Sequence, residues 1–293
     1  MAAIDNGWGG GPPTVLRMIL GRQLEELRTR AGVTFEEAGE TIGMSHSTIR
    51  RMEQAKVARL RLSDVERLLR TYGIKDAGEI ETFLELAREA NKHGWWHTYR
   101  DVMPDWFGAY LSLEQAAVTI RAYEAQFIPG LLQTEEYARA LLTSGSPQAP
   151  AEEIDRRVAL RLERQQILTR RQPPLLWAVL DETVLHWPVG GDKVMRAQID
   201  HLLEIGALPH VRVQMMPFAN GPHPATRAGA FQLFRFEATE LPDVVYLGGL
   251  IGSTYLDKQD DVAVYREAMD RLAAQAASEK KTKALLSALR KEL

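Results

Sequence analysis

His46, Ser47, Arg50 and Arg51 fall within one short segment, and their types suit one task. An arginine can bridge O6 and N7 of guanine in the major groove, and Ser and His add shorter polar contacts. Lys56, Arg59 and Arg61 follow with no acid among their neighbours. Such cations hold phosphates and make binding salt-dependent without reading sequence. Thr34, Ser45 and Gln54 complete the set of expected phosphate contacts, because Thr34 and Ser45 start helices whose first backbone N–H groups can face an anion.

Other side chains capable of chemistry are scattered. His93 and His97 have a spacing that suits two metal ligands on one helix face, but Gly94 and the surrounding aromatic residues favour a hinge, and no third ligand is evident. Asp181, Glu182 and His186 follow an apolar run, where strand ends often line sites, although acids at a helix start are also plain dipole partners. His223 sits in a long loop, Asn220–Ala228, and is expected at the surface. His186 and His223 are kept as weak candidates for contact with a partner or ligand. There is no Gly-rich phosphate loop, no HExxH and no nucleophile elbow. No catalytic residue, metal or cofactor is expected, and the chain is not expected to be an enzyme.

Those residues need elements to aim them. Leu20, Leu24, Leu27 and Ala31 repeat at helical spacing and mark a first helix ending at Gly32. Thr34 with Glu37 forms a capping box for a short second helix, with Ala38 and Ile42 inward and Gly43 as its stop. Ser45 caps a third, with Ile49 and Met52 on its buried face. Gly39 should cost its helix about 1 kcal/mol relative to Ala, and a close helix crossing explains its presence. Ser63–Tyr72 and Ala77–Asn91 are expected as the fourth and fifth helices of this head.

The chain has 293 residues and no cysteine, which excludes disulfides, thiolate metal sites and Cys nucleophiles. Thr14–Lys75 carries 12 Lys+Arg against 8 Asp+Glu, a net +4, which leaves −7 for the rest of a chain totalling −3. A basic reading head on an acidic body is expected. The expected organisation is a flexible tail over 1–13, a helix-turn-helix domain over 14–92, an aromatic hinge over 93–110 and an α+β domain with a small sheet over 111–293. In that last region Leu113–Ala125, Thr134–Thr143, Ala151–Arg171, Val194–Ile205, Asp260–Ala277 and Thr282–Leu293 are expected as helices. Leu175–Leu180, His210–Pro217, Ala230–Phe236 and Val244–Leu247 are expected as strands. The N-terminal stretch lacks the charged and apolar regions of a signal peptide, and no run is apolar enough to span a membrane, so a cytoplasmic protein is expected.

The segment Thr34–Met52, TFEEAGETIGMSHSTIRRM, resembles the Cro/C1-type (xenobiotic-response-element) helix-turn-helix family. That family usually has Gln where Phe35 stands, so the phosphate contact of that Gln does not carry over. The runs Gly94–Glu114, Phe127–Leu142, Arg157–Leu168 and Val244–Gly249 resemble the actinobacterial WhiJ-like regulators, whose C-terminal domain is antitoxin-like. The family commonly has an acid where Gly248 stands, and any role of that acid is absent here. The helix-turn-helix pattern predicts a DNA-binding transcription regulator, and because one head covers only a half-site a homodimer on a pseudo-palindromic operator is expected. The resemblance implies a developmental or antibiotic-linked regulator, often paired with a small companion protein. Its C-terminal domain would bind a small-molecule effector or a small companion protein encoded nearby. The other reading is an antitoxin-like protein that neutralises such a companion and autoregulates its operon.

Overall fold

The computed structural model describes residues 13–57, 59–104, 106–238, 241–249 and 252–293; residues 1–12 of the expected tail lie outside them. Pro13, placed at the end of that tail, instead opens the first helix. The chain divides into two compact units. Among the described residues, the first takes those up to His97 with Leu111–Ala116 and those within 238–241, and the second takes those within Thr98–Tyr110, Ala117–Glu237 and Pro242–Leu293.

The first unit is helical: α1 (Pro13–Ala31), α2 (Phe35–Ile42), α3 (His46–Glu53), α4 (Leu62–Thr71) and α5 (Ala77–Ala90). Its core is the apolar stripe that the 3.6-residue period requires. Leu16, Leu20 and Leu24 of α1 are buried with Ile49 of α3, Val65, Leu68 and Leu69 of α4, and Ile80 and Ala87 of α5. Partly buried polar anchors reinforce it: Arg17 Nε donates to the Ala90 carbonyl at 3.0 Å, and Asn91 exchanges two hydrogen bonds with the backbone of Leu60. After Ala90 a 3₁₀ helix, Trp95–Tyr99, follows.

In the second unit a six-stranded sheet is the framework. Its strands are β1 (Thr119–Glu124), β2 (Leu175–Asp181), β3 (Val211–Met216), β4 (Phe231–Arg235), β5 (Val244–Gly248) and β6 (Ser253–Leu256). The order is β3-β2-β1-β4-β5-β6, parallel across β3-β2-β1 and antiparallel from β1 onward. The helices are the start of α6 (Phe107–Ala116, whose Leu111–Ala116 belong to the first unit), α7 (Glu135–Gly145), α8 (Ala151–Gln165), α9 (Thr183–His186), α10 (Asp192–Ile205), α11 (Gln259–Gln275) and α12 (Glu279–Glu292). Alternate residues of each strand face opposite sides. Tyr123, Val179, Phe231, Leu233 and Val245 pack with Val262, Met269 and Leu272 of α11. Their neighbours in sequence, among them Glu124, Gln232 and Tyr246, therefore face the other side.

Several expectations are corrected. The helix expected over Leu113–Ala125 ends at Ala116, and β1 follows. Val118, Thr119 and Ile120 are β-branched, and the strand pairs with β2 on one side and β4 on the other, so sheet pairing outweighs local helical periodicity. The helix expected over Ala151–Arg171 stops at Gln165 and closes in the 3₁₀ turn Gln166–Leu168, ahead of Pro173 and Pro174. The sheet has six strands rather than a small set of four. β6 is too short to announce itself, and it exists by pairing with β5.

Candidate nucleic-acid interface

The second and third helices form as the residues dictate. Thr34 accepts from Glu37 N–H while Glu37 accepts from Thr34 N–H, completing a capping box. The Thr34 backbone N–H and hydroxyl, both donating to the Glu37 carboxylate, hold it below its usual range. Gly43 ends α2 at φ 71°, the left-handed region open to glycine. Ser45 caps α3, its Oγ accepting from Thr48 N–H at 3.3 Å. A Cβ on Gly39 would lie 2.6 Å from the Met44 carbonyl oxygen, so α2 can meet the start of α3 only without a side chain there.

This crossing turns one face of α3 inward and the other outward. Ile49 and Met52 are buried, while His46, Ser47, Arg50 and Arg51 are exposed. Arg50 lies with its guanidinium carbon 5.5 Å from the Phe35 ring centre, and Arg28 lies 3.9 Å over the same ring. Phe35 thus acts as a brace: each cation–π contact is worth about 0.5–1 kcal/mol at an exposed site. Ser47 Oγ shares a hydrogen bond with Ser45 Oγ at 2.8 Å, and Arg51 donates to the Lys56 carbonyl at 3.1 Å. Arg51 therefore closes the turn after α3, a second task beside any contact to a base. Thr34, Ser45, Gln54, Lys56, Arg59 and Arg61 are all exposed.

Two supports of α3 lack an obvious sequence signature. Arg28 of α1 forms a two-pronged ion pair with Glu53, the buried last residue of α3. Gly21 of α1 sits against the same end: its Cβ would lie 2.3 Å from the Glu53 carbonyl oxygen. A glycine inside a long helix was the available signal, since it costs about 1 kcal/mol there without a packing reason. Ala55 then takes φ 55° to leave the helix.

In the second unit the weak candidates separate. His186 is 44% exposed, pairs with Glu182 at 3.6 Å and stacks near Phe218. His223, expected at the surface, has a side chain only 7% exposed. Its Nε2 lies 3.2 Å from Tyr123 Oη and 3.4 Å from Asp181 Oδ2, and Tyr123 donates to the same carboxylate oxygen at 3.2 Å. Its loop is drawn in by the 3₁₀ turn Pro224–Arg227, whose Ala225 is buried in the core. Burial would raise the Asp181 carboxyl, but hydrogen bonds from Thr183, Tyr123 and His223 hold it below the usual range. His93 and His97 stack at 4.0 Å, 17° from coplanar, a ring-on-ring contact. Among the described residues no group of three or more His, Asp or Glu could hold a metal ion, and no helix is long and apolar enough to cross a membrane.

Residues 19–83 match the model of a helix-turn-helix domain, and residues 107–288 match that of a domain of unknown function, DUF5753. No curated protein matches the chain, and no solved structure does.

Proposed function

The chain belongs to the DUF5753 family, and from a helix-turn-helix head on such a body we propose a transcription regulator that reads operator DNA through α3. One observation carries the reading. α3 buries Ile49 and Met52 while presenting His46, Ser47, Arg50 and Arg51 to solvent from a crossing that Gly39 permits. The first residues of a recognition helix are those that meet base edges. The exposed cations Lys56, Arg59 and Arg61 supply the phosphate grip. The resemblance to Cro/C1-type heads and WhiJ-like regulators supports the same reading.

One head spans one half-site, so the acting species is a homodimer on a pseudo-palindrome. The second unit tunes operator affinity by taking a small effector or a companion protein, and it catalyses nothing. Binding-site selection with the full chain, followed by gel shifts of His46→Ala, Arg50→Ala and Arg51→Ala, tests the proposal. A changed base preference in at least one variant supports it, and wild-type preference in all three overturns it. A small companion retained in stoichiometric amount through native purification would make the second unit a neutralising surface rather than a sensor.

A further inference from the structure

The face of the sheet turned away from α11 carries a cavity of about 520 Å³ within the second unit. That volume lies within the range of small-molecule sites, about 300–1,000 Å³. Aromatic rings line much of it, among them Phe107 and Tyr110 of α6, Phe127, and Tyr246 of β5. Tyr110 stacks on Phe107 at 5.1 Å and meets Tyr246 edge-on at 4.7 Å, so this wall is built before anything enters.

The last residue of β1 is the exception in that lining. Glu124 is 5% exposed, and its Oε2 is buried without a hydrogen-bond partner. Its Oε1 has only a long contact, 3.5 Å, from Gln232 Nε2. A buried unsatisfied polar atom costs about 1–3 kcal/mol and calls for an explanation. The cavity's two arginines each have hydrogen-bond partners of their own. Arg161 donates to Gln133 at 2.7 Å, while Arg164 donates to Tyr110 Oη at 3.2 Å and lies over the rings of Phe107 and Tyr110. Gln232 Oε1 accepts from Tyr110. Of the buried side-chain polar atoms lining the cavity among the described residues, Glu124 Oε2 is the one left without a hydrogen-bond partner.

We propose that this cavity binds a planar aromatic organic cation, whose N–H donates to Glu124 Oε2 while its ring system lies against Phe107, Tyr110, Phe127 and Tyr246. Aromatic faces attract cations, and a desolvated ring pair adds to the area it buries. This deepens the regulator reading by naming the class of effector. It rests on that reading only for the consequence on operator binding, because ligand capture is measured without DNA.

Burial pushes the Glu124 carboxyl up to about 8, against the hydrogen bond from Gln232 and the charge of Arg161. The empty site therefore holds a proton at pH 7. The other charged groups facing the cavity are Arg161 and Arg164 of α8. When the ligand's cation pairs with the carboxylate, that proton leaves to the buffer.

The test uses the full chain and proflavine, a planar aminoacridine cation, at pH 7, with fluorescence anisotropy and with calorimetry in two buffers of different ionisation enthalpy. Saturable one-to-one binding is expected, with release of close to one proton per ligand. Glu124→Gln should weaken binding at least tenfold and abolish the buffer dependence. Ala230→Trp, which fills the cavity, should block binding while leaving the circular dichroism spectrum unchanged. The proposal is overturned if proflavine does not bind, or binds the wild type and Glu124→Gln equally. It is overturned equally if the anionic dye anilinonaphthalene sulfonate is taken in preference. Failure of operator binding in the separate DNA experiment would sink the regulator reading and leave the ligand result standing.

Discussion

Arg28 and Glu53 join the last turn of α1 to the last residue of α3 through two parallel hydrogen bonds, Nε to Oε1 at 2.7 Å and a terminal nitrogen to Oε2 at 3.0 Å. The carboxylate side chain is only 4% exposed and the guanidinium 12%. The pair raises Arg28 further above its ordinary value, the Glu53 hydrogen bond being the main cause. Arg28 also lies on the ring of Phe35, so α1, α2 and α3 meet at one charged group.

Removing one member strands the other where water barely reaches it. Glu53→Gln or Arg28→Met should each cost about 3 kcal/mol. Urea denaturation of each single variant and of the double variant gives the coupling. A single-variant loss below about 1 kcal/mol would show that the pair is no more than a surface bridge.

Gly21→Ala sets two effects against each other. Alanine gains about 1 kcal/mol in helix propensity. Its Cβ, however, would overlap the Glu53 carbonyl, and forced displacement in a packed interior costs about 1–3 kcal/mol. The expected net result is a lower denaturation midpoint and weaker operator binding, because α3 shifts. A stabilised variant would contradict the close approach of α1 and α3.

Lys56, Arg59 and Arg61 should act differently from Arg50 on DNA. Each of the three, changed to Ala, should weaken all sequences alike and reduce the slope of log affinity against log salt by about 1. Arg50→Ala should relax preference at one base position at a cost of about 1–3 kcal/mol. Salt titrations on operator and scrambled duplexes distinguish the two patterns. A large change of slope for Arg50 with no change of preference would move it to the phosphate group.

Asp181 makes the second unit sensitive to acid. Its carboxyl titrates below the usual range in the folded state, so the stability it contributes is fully present above the unfolded value of about 3.9. That contribution is lost as pH falls through the lower folded value. Asp181→Asn should therefore fall short of the wild type by a constant margin above about pH 5, and the margin should narrow toward pH 3. Urea midpoints across that range check it. A margin independent of pH would mean that the Tyr123, Thr183 and His223 contacts do not favour the charged form.

Much of the head was legible because its signals are local. Capping at Thr34 and Ser45, the turn at Gly43 and the 3.6-residue stripes each involve residues within about one helical turn. The strands β2 to β5 were legible from apolar or alternating runs, but β6 was not. Thr119–Glu124 was not, since its identity as a strand depends on partners at Leu175–Leu180 and Phe231–Arg235. Asp181, His186 and His223 stood in the sequence only as scattered polar residues. Asp181 and His223 do converge, but on the hydroxyl of Tyr123, a residue with no sequence signal, whereas His186 lies with Phe218.

The sequence by itself determined the helix-turn-helix and which of its side chains face outward. Caps, small residues and helical period act over a few positions, and burial of one face dictates exposure of the other. Tertiary structure alone decided that Phe35 braces two arginines, that Gly21 and Arg28 secure α3, and that Glu124 lies unsatisfied beside an aromatic wall. Those contacts join segments far apart in the chain, as Tyr110 and Gln232 do across 122 positions. Only the folded backbone brings such residues together, and no local pattern carries that information.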